Sequence, residues 1–312
     1  MKLLPALVAL SLATAAGAQS KAPTMNGFTL EPSSVPLDEI LRGGPGRDGI
    51  PALDSPAALP AAAAPWHDDE IVMGVEVGSE ARAYPVAILN WHELVNDALG
   101  GQPILVTYCP LCGTGLVFDR RFGEETRRFG VSGLLYKSDV LFFDRESESL
   151  WSQIEATAIT GPAIGTRLRV VRSRMTRWGD WRKLHPQSSV LSLETGHQRD
   201  YARDPYGDYA TSERVLLPAP VDPRYHPKMP TLGVRTREGA ARAYTGSELG
   251  NAGGSIEETF EGHPLKVSYD PEKQVFDAQI PDELEVIEGY WFAWAAFHPD
   301  TTVFVAVPEA NE

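Results

Sequence analysis

Two cysteines in one short turn are the residues of this sequence that point most directly to chemistry. They are the only cysteines of the chain and lie in Cys109-Pro110-Leu111-Cys112-Gly113. Two thiolates at this spacing can bind Cu(I) or Zn(II), or can form a disulfide that is oxidised and reduced in turn. A disulfide across so small a loop removes little entropy from the unfolded chain, which makes a purely structural bridge the weaker interpretation.

The segments on both sides of the cysteine turn are predicted to be β-strands. Residues 104–108 precede the turn and residues 116–118 follow it, and both segments are largely apolar. In thioredoxin-like proteins such a pair stands at a helix N-terminus, where the helix dipole lowers the pKa of a thiol. The strand-flanked turn instead resembles the metal knuckle of rubredoxins and zinc ribbons. Metal binding by Cys109 and Cys112 is therefore the preferred interpretation, and redox chemistry is the alternative.

A metal site built on two cysteines needs further ligands, because structural zinc sites usually have four. His92, in Asn90-Trp91-His92-Glu93, is the candidate third ligand. The apolar spacing predicts a helix over 86–99 that packs beside the cysteine hairpin. Lone histidines on such helices are more often structural, so both roles of His92 stay open. The expected cofactor is copper or zinc.

A ligand pocket is predicted where tyrosine, arginine and aspartate are concentrated, at 199–209. Phenol hydroxyls and arginine–carboxylate pairs are suited to binding a polar ligand. The alternative is a linker between two repeats that carries surface ion pairs. The residues predicted to line the pocket are Trp91, Glu93, Tyr136, Arg199, Tyr201, Arg203, Asp204 and Tyr206.

Similar segments in the two halves of the chain predict an internal duplication. The sequence ARAY at 81–84 recurs at 241–244, and Trp181 and Trp294 each stand four residues before a His-Pro pair. The first copy carries a long insertion that starts at 120. In the second copy the cysteine turn is replaced by Tyr269-Asp270-Pro271. A turn of this kind forms without sulfur, which indicates that the cysteines serve chemistry rather than folding.

The predicted fold is α+β and mostly β, with two related lobes from the duplication and short helices packed on antiparallel sheets. The predicted segments are a signal peptide at 1–18, a Pro/Ala-rich N-terminal arm at 19–70, a first lobe with the cysteine hairpin and the insertion at 71–198, a Tyr/Arg/Asp-rich linker at 199–232, and a second lobe without cysteines at 233–312.

Composition and the N-terminus restrict where the protein acts and what it binds. The chain has 312 residues and a formal net charge of −14, which argues against a nucleic-acid partner. Lys2, an apolar run and Ala16-Gly17-Ala18 predict a cleavable secretory signal peptide. No later segment is long and apolar enough to predict a transmembrane helix. We expect a periplasmic or secreted protein, in an oxidising compartment, whose partner is a small ligand or a metal donor.

Several motifs in a fixed order resemble a bacterial and archaeal family, the domain of unknown function 3179. They include NWHE at 90–93, TYCPLCGT at 107–114, FGVSGLLY at 129–136 and LWSQ at 150–153. The resemblance covers residues 45–310 and implies a secreted or membrane-anchored protein, but no established activity. Three functions therefore stay open: a thiolate metal-binding protein, a thiol-disulfide oxidoreductase or redox sensor, and a non-enzymatic ligand-binding module. The sequence leaves open whether the protein is an enzyme.

Overall fold

The computed structural model describes residues 22–216 and 218–307. Within these residues the predicted fold class is confirmed: the protein is mostly β, with several antiparallel sheets and a few short helices. The predicted signal peptide at 1–18 lies outside the described residues. None of the helices in the described part of the chain is long and apolar enough to cross a membrane.

The helices are short and follow strands directly. The α-helices are α1 Val86–His92, α2 Trp178–Leu184, α3 Gly246–Asn251 and α4 Trp291–Phe297. Single turns of 3₁₀ helix lie at Leu37–Glu39, Ala61–Ala63 and Tyr209–Thr211. The apolar sides of the α-helices pack on the sheets. Trp178 and Trp181 of α2 and Trp291 and Trp294 of α4 are buried in these contacts.

Most of the core consists of antiparallel strands. The strands of the N-terminal half are β1 Thr24–Met25, β2 Phe28–Thr29, β3 Ile40–Arg42, β4 Leu53–Asp54, β5 Ala58–Pro60, β6 Ile71–Val77, β7 Glu80–Pro85, β8 Leu94–Leu99, β9 Gln102–Cys109, β10 Thr114–Asp119, β11 Arg121–Phe122, β12 Glu125–Thr126, β13 Phe129–Tyr136, β14 Asp139–Asp144, β15 Leu150–Ser152 and β16 Thr157–Ala158. The remaining strands are β17 Val170–Val171, β18 Ser173–Arg177, β19 Ser189–Leu191, β20 Pro230–Arg235, β21 Ala241–Thr245, β22 Ser255–Phe260, β23 His263–Asp270, β24 Val275–Gln279, β25 Glu285–Tyr290 and β26 Thr302–Val303.

One large sheet joins the two halves of the chain. Its strand order is β26-β21-β20-β25-β10-β9-β8-β4, and β17 also pairs with β10. Strand β10 meets β25 at Gly115 and Glu288, which brings the cysteine hairpin β9–β10 next to the C-terminal half. Four strands of the predicted insertion form a separate sheet with β3 of the arm, in the order β16-β15-β14-β13-β3. The hairpin β13–β14 of this sheet reaches the cysteine hairpin.

The described part of the predicted arm, 22–70, adds edge strands to three sheets. Strand β3 pairs with β13, β4 pairs in parallel with β8, and β5 pairs with β19. Each of these arm strands covers backbone groups of β13, β8 or β19 that could otherwise pair with another chain. The arm therefore wraps the core, and its turn at 43–45 lies beside the cysteine hairpin.

The structure corrects the predicted helix over 86–99. Helix α1 ends at His92, Glu93 takes a positive φ of 59°, and the remaining residues form strand β8. Apolar spacing alone could not exclude the strand, because the polar residues of β8 find partners only in the folded protein. Asn96 exchanges two hydrogen bonds with the backbone of Phe129, and Asp97 accepts hydrogen bonds from Arg82 and Tyr84.

The segments predicted to be duplicated occupy similar local structures. Strand β6 lies between β7 and β18, and β20 lies between β21 and β25, in the same antiparallel registers. A parallel strand then adds to the outer edge, β19 on β7 and β26 on β21. The hairpin β23–β24 turns at Asp270 without cysteine, as predicted. The duplication itself stays a prediction.

In each of the two similar segments a strand glycine faces a tryptophan. A Cβ atom on Gly74 would lie 2.1 Å from Trp181, and one on Gly233 would lie 2.2 Å from Trp294. Such distances are far below van der Waals contact, and the tryptophans are buried. Glycine is therefore required at these two strand positions for the indole to pack flat on the sheet.

We predict that Gly74→Ala and Gly233→Ala each lower the free energy of unfolding by about 1–3 kcal/mol, because the added methyl group overpacks the tryptophan contact. Urea unfolding of each variant measures the change. Gly46→Ala is the control, since its Cβ would meet open space. Equal stability of all three variants would contradict the proposed packing role.

Candidate functional site

The cysteine turn is held by backbone hydrogen bonds from both halves of the chain. The Cys112 amide donates to the Cys109 carbonyl over 3.1 Å, and the Tyr290 amide donates to the Cys112 carbonyl over 2.8 Å. Gly113 has a φ of 61°, and a Cβ there would lie 2.9 Å from the Tyr290 ring. Only glycine combines this backbone conformation with so close a neighbour. Both cysteines are buried and are not joined by a disulfide.

A second turn places an aspartate against the two sulfur atoms. Lys137 and Ser138 both have positive φ values, which suits the tight turn between β13 and β14. The Ser138 carbonyl lies 3.3 Å from the Cys112 sulfur. Asp139, which follows, is 1% exposed. One ligand atom each from Cys109, Cys112 and Asp139 lie within 4.8 Å of one another.

The Asp139 carboxyl is only partly hydrogen-bonded. Its Oδ2 accepts from the Ile154 amide over 3.1 Å. Its Oδ1 is buried and accepts no hydrogen bond from an N–H or O–H group in the described part of the chain. The Cys112 and Cys109 thiols, which are weak donors, face the carboxyl. A buried oxygen of this kind costs free energy unless a donor or a cation meets it. The group of Cys109, Cys112 and Asp139 is hereafter the donor cluster.

Glu93 brings a second carboxyl to the same place. Its carbonyl accepts from the Tyr108 amide over 2.8 Å, which fixes it beside Cys109. Its carboxyl is 7% exposed, accepts a hydrogen bond from the Tyr206 hydroxyl over 3.3 Å, and lines a cavity together with Cys109. The close approach of two carboxyls and two thiols concentrates potential negative charge at one point.

Burial is the main cause of the shifted pKa values in this region. It raises the pKa of the Asp139 carboxyl to about 7 and that of the Glu93 carboxyl to about 7. It also raises the pKa of the Cys109 thiol, and raises that of the Cys112 thiol well above its ordinary value. Without a cation the site therefore favours protonated, neutral groups.

Lys228 supplies a buried positive charge that interacts with Cys112. It is 4% exposed, its Nζ donates to the Arg214 carbonyl over 2.8 Å, and it lies 3.4 Å from the centre of the Tyr209 ring. Burial lowers the pKa of Lys228 to about 8, and its attraction to Cys112 opposes this decrease. Lys228 can therefore offset one thiolate charge.

Three consecutive residues of the NWHE motif hold the residues at 199–209, hereafter the Tyr-rich segment. Trp91 Nε1 donates to the Arg203 carbonyl over 3.2 Å, and Glu93 accepts from Tyr206. His92 Nε2 lies 2.7 Å from the Tyr201 hydroxyl. Because each contact comes from a different residue, the motif fixes the segment along its length. The segment covers the Glu93 side of the donor cluster.

His92 is fully buried, and both of its ring nitrogens have protein partners. Nδ1 lies 2.8 Å from the Pro51 carbonyl, which can only accept, so Nδ1 carries the proton and Nε2 accepts from Tyr201. Burial lowers the pKa of His92 to about 4. Among the described residues the donor cluster contains Asp139 and not the predicted ligand His92. The structure places His92 at the contact with the Tyr-rich segment, and its role as a metal ligand stays a prediction.

The structure brings together most residues of the predicted ligand pocket, but not all. Trp91, Glu93 and Tyr206 lie at the contact between α1 and the Tyr-rich segment, and Arg199 lies over the Trp91 ring at 5.7 Å. Tyr136 is elsewhere: it packs edge-on against Phe297 in a different core cluster. The Tyr-rich segment therefore meets Glu93 and Cys109, whereas Tyr136 belongs to the β13 side of the sheet.

Two functional candidates were not predicted from the sequence. Asp139 stands at the start of an apolar strand, DVLFFD, and an acidic residue next to such a strand was the available signal. Lys228 had no signal, because it reaches Cys112 from a distant loop. Sequence patterns identify residues close together in the chain, and both of these are brought in by tertiary contacts.

Comparison with known proteins identifies one family. The family model described as "Protein of unknown function (DUF3179)" matches residues 47–282, which is more than half of the chain. This match confirms the resemblance predicted from the motifs, and it includes the cysteine turn, Asp139 and Lys228. No curated protein and no solved structure matches the chain.

We predict that metal-free protein becomes less stable relative to Glu93→Gln as the pH rises from about 5 to about 8. The folded-state pKa of Glu93, about 7, lies above its ordinary value of 4.5. The folded protein therefore binds the proton more strongly, and this stabilisation is lost as the pH rises through about 7. The free energy of unfolding is measured for both proteins by urea unfolding with a chelator present. The difference between the two values should change by more than about 1.4 kcal/mol between about pH 5 and about pH 8.

The other titrating groups are shared by the two proteins, so every contribution that does not depend on the charge of Glu93 cancels; the coupling of Glu93 to Asp139 remains part of the measured difference. A stability difference that stays constant between about pH 5 and about pH 8 would contradict a raised pKa for Glu93.

We predict that Tyr201→Phe loosens the Tyr-rich segment. The variant removes the hydroxyl that links His92 to Thr195, whose Oγ1 lies 2.5 Å from it. Loss of these hydrogen bonds should speed amide exchange in 199–209 about tenfold. Tyr136→Phe is the control, because Tyr136 packs in another cluster. Equal exchange rates in the two variants would contradict the anchoring role of the NWHE motif.

Proposed function

The chain belongs to the DUF3179 family, and we propose that it is a metal-binding protein whose donor cluster holds one zinc ion. The observation that carries this proposal is the Asp139 carboxyl, buried within 4.8 Å of two cysteine sulfurs, with one oxygen that only the weak thiol donors face. A cation between the three groups would satisfy that oxygen and would offset the cost of burying the thiolates.

The types of donor atom favour zinc over copper. Cu(I) is selected by soft sulfur ligands, whereas zinc accepts cysteine sulfur together with a carboxylate oxygen. Ligands of a tetrahedral zinc ion lie about 3–4 Å from each other, so the donor cluster needs only a small contraction to bind it. Three protein ligands leave a fourth position for water or another ligand, as in catalytic zinc sites.

The buried charges support a divalent ion. Two thiolates and the Asp139 carboxylate carry three negative charges, and a zinc ion with the Lys228 ammonium carries three positive charges. This balance requires Glu93 to be protonated, which its raised pKa of about 7 favours below about pH 7. Buried charges are tolerated when they are paired in this way.

Thiol-disulfide exchange is less well supported by the same geometry. The thiolate is the reactive form, and burial raises the pKa of both thiols. Cys109 is 1% exposed and Cys112 is 0% exposed, so another protein's disulfide has no direct access to either sulfur. A redox role would require the Tyr-rich segment to move first.

We also propose that the protein acts in the periplasm or outside the cell. Support comes from the N-terminal sequence, in which Lys2, an apolar run and Ala16-Gly17-Ala18 resemble a cleavable signal peptide. In an oxidising compartment a bound zinc ion would also protect the two thiols from oxidation to a disulfide.

We predict that reduced, metal-free protein binds one equivalent of zinc, measured by calorimetry and by elemental analysis after dialysis. The Cys109→Ser, Cys112→Ser double variant should bind none. Asp139→Asn should bind about 10–100-fold more weakly, because an amide oxygen lacks the charge of the carboxylate.

The matched control is Asp270→Asn. Asp270 occupies the position equivalent to Cys109 in the second hairpin and accepts hydrogen bonds from the Glu272 and Lys273 amides. Its substitution should leave zinc binding unchanged. The proposal would be wrong if wild type and the double cysteine variant bound zinc equally, or if the reduced wild type bound no metal.

A further inference from the structure

We propose that the cavity beside Cys109 and Glu93 is a binding site for a small, uncharged, largely apolar molecule with one hydroxyl group. The cavity has a volume of about 380 Å³. An apolar cavity of about 150 Å³ accommodates benzene, and ligand sites commonly span about 300–1,000 Å³. The space therefore suits a molecule of about two rings.

The walls of the cavity are apolar and come from separate parts of the fold. The arm, the cysteine turn and the hairpin β13–β14 all contribute side chains. The apolar residues that line its interior are Ile50, Leu111, Val131, Leu134, Leu135 and Val140. Such a surface stabilises an apolar ligand by removing it from water.

The polar groups of the cavity are few and lie together. Glu93, Tyr206 and Cys109 line the same space. Glu93 and Tyr206 are hydrogen-bonded to each other over 3.3 Å, a long bond that a ligand hydroxyl could replace or join. These groups would orient one polar end of a ligand while the apolar walls hold the rest.

The composition of the walls decides the charge of the ligand. Among the described residues that line the cavity there is no Lys, Arg or His, so an anionic ligand would have no cationic partner. An ammonium ion would leave most of its donors unpaired against the apolar walls. An uncharged hydroxyl needs only one or two partners, which Glu93 and Tyr206 supply.

The cavity opens to solvent between the arm and the loop that follows the Tyr-rich segment. Gly43, Gly44 and Pro45 are exposed lining residues, and Leu216 is 45% exposed at the same opening. The deeper lining is almost fully buried, with Val131 at 1% and Leu134 at 0%. A ligand can therefore enter past Leu216, and a larger side chain there would obstruct the opening without disturbing the core.

The test uses 2-naphthol, naphthalene and 2-naphthoate as probes, with binding measured by fluorescence titration of the full chain in the presence of a chelator. We expect 2-naphthol to bind about fivefold more tightly than naphthalene and more than about tenfold more tightly than 2-naphthoate. Glu93→Leu should bring 2-naphthol to the affinity of naphthalene. Tighter binding of 2-naphthoate than of 2-naphthol would overturn the proposal.

Leu216→Trp should weaken 2-naphthol binding at least about tenfold by obstructing the opening. The matched control is Leu193→Trp, because Leu193 is similarly exposed, at 42%, and lies outside the cavity. Both variants change exposed side chains, and their circular dichroism and thermal unfolding confirm that they fold. Equal 2-naphthol binding by the two variants would overturn the proposal. The chelator keeps this outcome independent of zinc binding.

Discussion

The burial of acidic groups at one point is the constraint on which the rest of this structure depends. Two thiols and two carboxyls lie together in the interior, where burial disfavours their ionised forms. Only Lys228 brings a buried cation to Cys112, as far as the described residues show. Such an arrangement is costly as a purely structural device, because apolar residues of similar size would pack there without a charge penalty. This cost is one reason for the proposal of a bound cation.

Each member of this acidic group is positioned by a different part of the fold. The cysteines lie in the turn of hairpin β9–β10, and Asp139 follows the tight turn between β13 and β14. Glu93 ends helix α1 with a positive φ, and its carbonyl pairs with Tyr108. Tyr290, from the C-terminal half, donates to the Cys112 carbonyl. The site therefore exists only when the insertion, the first half and the second half are all packed together.

The hairpin at Asp270 gives a useful comparison within the same chain. It has the same strand pairing as the cysteine hairpin, and its turn is stabilised by Asp270 accepting two backbone amides. No hairpin like β13–β14 packs against it within the described residues. The turn at Asp270 thus forms without cysteine. The cysteine turn differs from it in packing against the hairpin β13–β14, which brings the buried Asp139 carboxyl.

The sequence by itself determined the mostly β fold class, the family and the position of the cysteine turn between two strands. These features depend on residues that are neighbours in the chain, so alternation, turn residues and short motifs are sufficient to predict them. The sequence also grouped residues 199–209 with Trp91 and Glu93, which the structure brings together, and with Tyr136, which the structure places against Phe297.

Only the tertiary structure decided which groups meet the sulfur atoms. The predicted helix over 86–99 ended at His92 because Asn96 and Asp97 find partners on other strands. His92 turned toward Pro51 and Tyr201, and Asp139 lies beside the cysteines in its place. The physical reason is that burial and hydrogen-bond pairing are settled by contacts between residues far apart in the chain, which local spacing does not encode.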